Sequence, residues 1–157
     1  MIKHLVMDVD GVLSTGHFFY SEEGKMFKVF GPHDKDGLKI IKDLGIGITF
    51  ITADESGFDI SYARIVKDWK FSSAQLFLVS DGTRLEWMEK RFNLDEVAYV
   101  GDGIHDAPIL SKVALGIAPN SARKEAKAAA KFITESNAGS GAVLDACLIV
   151  RDWIQNK

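Results

Sequence analysis

Two carboxylates one residue apart, Asp8 and Asp10, directly follow the apolar run Leu5-Val6-Met7 and lead into Gly11-Val12. Such a run predicts a buried strand, and the C-terminal ends of strands are where open parallel sheets gather their active sites. Side chains two apart on a strand share a face, and once the strand ends the second carboxylate can turn back toward whatever the first one holds. A pair of this kind can divide nucleophilic and acid/base work between its members. For an isolated Asp-x-Asp the plainer reading, polar residues capping the next turn, stands on equal footing. The rest of the chain decides between them.

Phosphoryl transfer is mostly positioning and charge stabilisation. A phosphate ester over Asp8 would need an in-line nucleophile, a cation, donors for its oxygens and a proton for the leaving alcohol. Asp8 suits attack on phosphorus to give an aspartyl-phosphate, and Asp10 suits protonation of the leaving oxygen followed by activation of water. Mg2+ takes octahedral oxygen ligands with few protein carboxylates, a demand that Asp8, Asp102 and the backbone carbonyl of Asp10 would meet. Thr52, closing its own apolar run, is placed to donate to a phosphate oxygen, and Arg84 to supply positive charge. Taken singly, Thr52 is a turn residue, Arg84 a solvated residue of a first helical turn, and Gly101-Asp102-Gly103 a tight turn. Taken together, each following an apolar run, they favour the catalytic reading.

These residues need a frame. Leu5 to Met7, Ile48 to Ile51, Leu76 to Val79, Val97 to Val100 and Ala114 to Ile117 read as strands, with helix-period segments between them. That alternation predicts an α/β fold, a Rossmann-like three-layer sandwich around a mostly parallel sheet. Gly16 to Tyr20, Ser21 to Gly24 and Lys25 to Phe30 break the alternation as strand, turn and strand, a β-hairpin inserted at about residues 16–30. Phe18, Tyr20, Phe27 and Phe30 give it more aromatic surface than a free flap keeps in water, so another subunit or its own domain must cover it, the former being favoured. Val143, Ala146, Val150 and Trp153 mark the core face of a last helix, Gly141 to Gln155, and place Cys147 as a core thiol.

At 157 residues and 46% hydrophobic, the chain suits one domain, spanning 1–157. A formal net charge of -3 with scattered Lys and Arg argues against nucleic acid as a partner. No apolar run approaches the roughly 20 residues that span a bilayer, and the start lacks a basic leader, so a soluble, cytoplasmic protein is expected. A lone cysteine agrees with a reducing compartment.

The ordered motifs Asp8 to Gly11, Thr52, Arg84 and Gly101 to Asp106 resemble those of the haloacid dehalogenase superfamily. The hairpin after Asp-Val-Asp-Gly-Val, the stretches Phe30 to Leu38, Ala98 to Asp102 and Ile117 to Pro119, and Asn137 to Val143 look like its capless 3-deoxy-D-manno-octulosonate 8-phosphate phosphatase-like subfamily. The resemblance implies no large cap domain, a Mg2+-dependent phosphatase acting on a phosphorylated sugar or sugar acid, and a homotetramer in which neighbouring hairpins and tails complete the site. Departures accompany it. Arg84 stands where that subfamily usually has Lys, Gly103 replaces an acidic residue, and Thr52-Ala53-Asp54 replaces Thr-Gly-Arg, while Leu144 or Ser140 stands where a basic residue is often found. With two anion contacts missing, either the substrate carries less negative charge or its carboxylate is bound by His33, Lys35 or Arg64. Asp106 is either an outer support for the metal or an ordinary N-terminal helix residue.

A phosphotransferase would share every one of these motifs. A receiver domain would not need Asp10. The reading from a different class is a catalytically weakened subunit that serves as an assembly partner in sugar-nucleotide or surface-polysaccharide biosynthesis; the retained Asp8, Asp10 and Asp102 argue against it.

Overall fold

The computed structural model describes residues 1–156. Strand β1 (His4–Asp8) leads into a hairpin, β2 (Ser14–Ser21) and β3 (Gly24–Phe30), and then α1 (Asp34–Asp43) and β4 (Gly47–Thr52). Next come α2 (Phe58–Tyr62), continued by a wider turn over Ala63–Asp68, then β5 (Leu76–Leu78), α3 (Arg84–Arg91) and β6 (Val97–Val100). The chain goes on through α4 (Ala107–Lys112), β7 (Leu115–Ala118), α5 (Lys124–Ala129), β8 (Phe132–Ile133) and α6 (Ala142–Gln155). Six strands form one parallel sheet in the order β5-β4-β1-β6-β7-β8, and β2 pairs with β3 in a separate antiparallel ribbon.

Alternation along the strands divides the core in two. Leu5 and Met7 face Leu38 and Ile41 of α1 and Val143, Cys147 and Val150 of α6, whereas Val6, Ile51 and Tyr99 face Met88 of α3 and Ile109 and Leu110 of α4. Each of the buried Leu, Ile, Val and Met side chains contributes about 1.5–3 kcal/mol, so the sheet with its two helical layers is a stiff frame. Helices α1 and α6 approach closely at Gly37, where a Cβ would lie 3.0 Å from Leu144 Cα and 3.1 Å from Cys147 Sγ. Burial, with the charge of Asp34 adding to it, pushes the Cys147 thiol up to about 12, as suits a core thiol.

The connections leaving β1 go to opposite sides, to β4 and ultimately to β6, so the carboxyl end of β1 is the switch point of the sheet. The five strands read from sequence are present, with β5 stopping at Leu78 while Val79 N–H donates to the Thr52 carbonyl. Strand β8 was not foreseen. Its two residues, Phe132 and Ile133, are both exposed and lie on the sheet edge, so no buried run announces them.

The hairpin stands over the end of β4. Phe30 packs on the core from its root, and Phe18 lies under Lys25 Nζ at 3.6 Å from its ring centroid. Phe19, Tyr20 and Phe27 remain more than half exposed. Its own domain therefore covers the hairpin only in part.

Candidate active site

The loop after β1 sets the first two carboxylates apart. Asp8 Oδ1 accepts the Val9 N–H at 2.9 Å, Ser14 N–H donates to the Val9 carbonyl, and Gly11 takes φ 83° between them. That left-handed conformation is open to glycine at little cost, and here glycine is also demanded by space. A Cβ on Gly11 would fall 1.9 Å from Asp102 Oδ2. Buried Ser14 ties the loop, accepting from Gly11 and Gly16 N–H and donating to Asp10 Oδ1 at 3.3 Å.

Asp102 follows β6 and reaches across that glycine. One oxygen from each of Asp8, Asp102 and Asp106 lies within 4.8 Å of the others. Asp106 is already committed: Oδ2 accepts the N–H groups of Asp102 and Gly103, both at 2.9 Å, and Oδ1 accepts from Arg84 and the Tyr99 hydroxyl. It thus supports the Asp102 loop, while Asp8 and Asp102 present their remaining oxygens to each other. Burial pushes the Asp8 carboxyl well up, Arg84 draws it down, and Asp106 and Asp102 push it up again. Burial and the charge of Asp106 push Asp102 to about 6. An all-oxygen cluster so short of positive charge, with a glycine cradle that admits Asp102, fits a hard divalent cation such as Mg2+.

Arg84 opens α3 and is 2% exposed. Its guanidinium spans Asp106 Oδ1 at 3.0 Å, Asp8 Oδ1 at 3.4 Å and, through the other terminal nitrogen, Asp81 Oδ1 at 3.3 Å. The solvated helix-start residue is therefore the wrong picture of Arg84. Neutralising a buried carboxylate cluster suits a planar fork better than a point charge.

Asp10 turns away from the cluster. Its carboxylate meets Lys28 Nζ at 2.9 and 3.1 Å and receives the Thr52 hydroxyl at 3.4 Å, so only its backbone carbonyl is left for the role of metal ligand. Thr52, fully buried, also accepts the Asp54 N–H; its hydroxyl is directed to Asp10 and not, as expected from the sequence, into the space for a phosphate oxygen, so it positions Asp10. Sequence reasoning missed Lys28 altogether, though its side chain is fully buried and also reaches Ser61 at 2.7 Å and Asp54 at 3.0 Å. Lys25 meets Asp54 at 2.6 Å. In β3, Phe27 pairs with Phe19 and Lys25 with Tyr20, leaving Met26 without a partner. This extra residue turns Lys25 and Lys28 toward the same carboxylate. Burial pushes the Asp54 carboxyl up, but the two ammonium groups outweigh it and bring it down to about 2.

Asp8, Asp10, Arg84, Asp102 and Asp106 line an open cavity of about 380 Å³ together with Lys25, Asp54 and Phe18, while Thr52 and Lys28 lie behind its wall. His33, Lys35 and Arg64 do not line it. His33 precedes α1 with its side chain mostly exposed, Lys35 lines a separate groove with Lys42 and Trp69, and Arg64 is held by Asp68 and the Gly31 carbonyl. Within one chain, none of the three is placed to receive a substrate carboxylate here.

A family profile described as haloacid dehalogenase-like hydrolase matches residues 82–146. The 3-deoxy-D-manno-octulosonate 8-phosphate phosphatase KdsC of Salmonella typhi is 31% identical over 150 residues, covering 93% of this chain and 77% of that protein. Its counterpart in Escherichia coli strain K12 is 31% identical over 157 residues, with the same coverage. The crystal structure of the 3-deoxy-D-manno-octulosonate 8-phosphate phosphatase of Moraxella catarrhalis, in complex with magnesium, phosphate and KDO, superposes with a TM-score of 0.78 at 28% identity. That match covers 99% of this chain and 92% of that one. With similarity running through both halves of the chain, the protein belongs to the haloacid dehalogenase superfamily and to its 3-deoxy-D-manno-octulosonate 8-phosphate phosphatase-like branch.

Proposed function

We propose that this protein is a Mg2+-dependent phosphohydrolase, a single domain that cleaves a sugar or sugar-acid phosphate monoester through an aspartyl-phosphate on Asp8. The observation that carries the proposal is the meeting of Asp8 and Asp102, remote in sequence, across Gly11 at the sheet's switch point. The likeness to phosphatases, one of them holding magnesium and phosphate, supports it.

Asp8, Asp102 and the Asp10 carbonyl would hold the cation, which when bound offsets phosphate charge as a Lewis acid. Asp8 attacks phosphorus in line, forming an acyl phosphate as the ester oxygen leaves. Asp10 enters the step protonated and gives that oxygen its proton; as the carboxylate paired with Lys28 it then takes one from the water that releases inorganic phosphate from Asp8, which restores its starting state. Lys28 and Thr52 fix the Asp10 carboxyl in the cavity lining, and Arg84 balances charge on Asp8 as the phosphoryl group arrives.

Asp10→Asn is expected to lower turnover of an alkyl phosphate about 10²–10⁴-fold, the usual worth of a general acid and base. With an aryl phosphate the first step needs no proton, so a burst of one nitrophenolate per site should precede slow turnover. Rapid-mixing absorbance measures it; unchanged steady-state turnover of the alkyl ester would remove Asp10 from the mechanism.

We further propose a cytoplasmic homotetramer, because the exposed Phe19, Tyr20 and Phe27 form a patch suited to a second copy. Among the described residues, no helix is long and apolar enough to cross a membrane. Deleting residues 18–29 is expected to reduce the mass in solution to that of one chain by light scattering; an unchanged mass would exclude the hairpin contact.

The reading as a weakened assembly partner finds no favouring observation, since Arg84 is engaged with Asp8 and Asp106.

A further inference from the structure

We propose that this site selects phosphate esters of uncharged, polyhydroxylated leaving groups over those of sugar acids, because its hairpin wall presents an internally neutralised charge pair where a substrate carboxylate would need a free cation. The inference rests on the phosphohydrolase reading above and narrows its substrate class.

Among the described residues lining the cavity, the permanent cations are Lys25 and Arg84. Arg84 lies at the bottom, bound to Asp8, Asp106 and Asp81, on the side where the phosphoryl group reacts. Lys25 is the cation nearer the leaving group, and Asp54 holds it at 2.6 Å while the Phe18 ring covers it at 3.6 Å. Lys28, behind them, has no solvent-exposed side-chain surface and is shared between Asp10 and Asp54. Asp54 thus engages both ammonium groups, and neither is left free for a substrate carboxylate.

Within one subunit, a carboxylate entering this wall must either displace Asp54 from Lys25 or sit beside Asp54 and Asp81 without a counter-charge. Asp54 is also tied to the chain, accepting from Gly57 N–H and the Ser56 hydroxyl, so displacing it breaks a local turn as well. Selectivity against a wrong ligand is commonly built in this way, from an unpaired like charge. Hydroxyl groups meet no such barrier. Asp54 can accept from them, Lys25 and His105 can donate, and the Phe18 face suits the C–H surface of a sugar.

The test compares glucitol 6-phosphate with 6-phosphogluconate, a pair differing at C1 as hydroxymethyl against carboxylate. 3-Deoxy-D-manno-octulosonate 8-phosphate serves as a second sugar acid, and p-nitrophenyl phosphate as the control. The wild-type protein with Mg2+ is expected to show kcat/KM at least tenfold higher for glucitol 6-phosphate than for either acid. Asp54→Asn keeps the acceptor for Gly57 but frees Lys25 of its counter-charge, and is expected to shrink that ratio at least tenfold. A wild-type ratio under tenfold, or a preference for either acid, overturns this inference while Asp8-dependent hydrolysis of the aryl ester leaves the phosphohydrolase reading standing. Absence of Mg2+-dependent hydrolysis of every ester, the aryl one included, overturns both. The wild-type ratio decides the matter even where Asp54→Asn fails to fold.

Discussion

Asp8→Asn is expected to lower Mg2+-dependent hydrolysis of p-nitrophenyl phosphate by at least about 10⁴-fold, the scale seen when a covalent nucleophile is removed. Asparagine has the same shape, and its carbonyl oxygen can still accept the Val9 N–H that fixes the start of the loop. What disappears is the anion that attacks phosphorus. Stability should move the other way. Buried Asp8 stands beside Asp102 and Asp106 with Arg84 as their shared cation, so removing one charge relieves repulsion in the metal-free protein. The variant should melt no lower than wild type without Mg2+, and gain less when Mg2+ is added, because it has one fewer anionic ligand. A phosphate-release assay and thermal melts with and without EDTA measure both effects. Hydrolysis within tenfold of wild type would exclude Asp8 as the nucleophile.

The second large effect is expected at Arg84. Arg84→Met should cost about 3–5 kcal/mol of stability, the loss typical of removing one partner from a buried ionic cluster. It should also slow the aryl phosphate reaction about 10²–10³-fold, as removal of a preorganised charge-stabilising donor does. Added Mg2+ should recover part of the stability by supplying positive charge to Asp8 and Asp102, so the gap in Tm from wild type narrows. Arg84→Lys keeps the charge, but one ammonium cannot span Asp106, Asp8 and Asp81 as two guanidinium nitrogens do. Its rate should fall between wild type and Arg84→Met. A Met variant that melts like wild type would show that the cluster does not need this cation.

Much of this arrangement is legible in the chain before folding. Long apolar runs bury both faces of a strand, so β1, β4 and β6 declare themselves, and Asp8, Thr52 and Asp102 are marked as the polar residues that end or follow them. Arg84 is legible as a charge and illegible as a buried one, because its burial comes from Tyr99 and Asp106, brought up by other elements. Lys28 was hidden for a similar reason. Its worth comes from Asp10, Asp54 and Ser61, which the hairpin meets only after folding over β4. One signal was available: Lys28 shares its strand face with Phe30, which packs on the core, and a lysine on an inward face asks for a carboxylate partner.

The hairpin wall also answers to the far end of the chain. A Cβ on Gly31, at the foot of β3, would lie 1.9 Å from the Gly139 carbonyl oxygen, and Gly139 itself takes φ 73° against Thr15. The hairpin is in this sense a hinge leaf screwed to the last helix's doorpost, and its angle over the pocket is set by backbone meeting backbone. Bulk introduced at either glycine is expected to shift the strand that carries Lys25 and Lys28, so a substitution touching neither metal nor phosphate should alter the wall of the cavity.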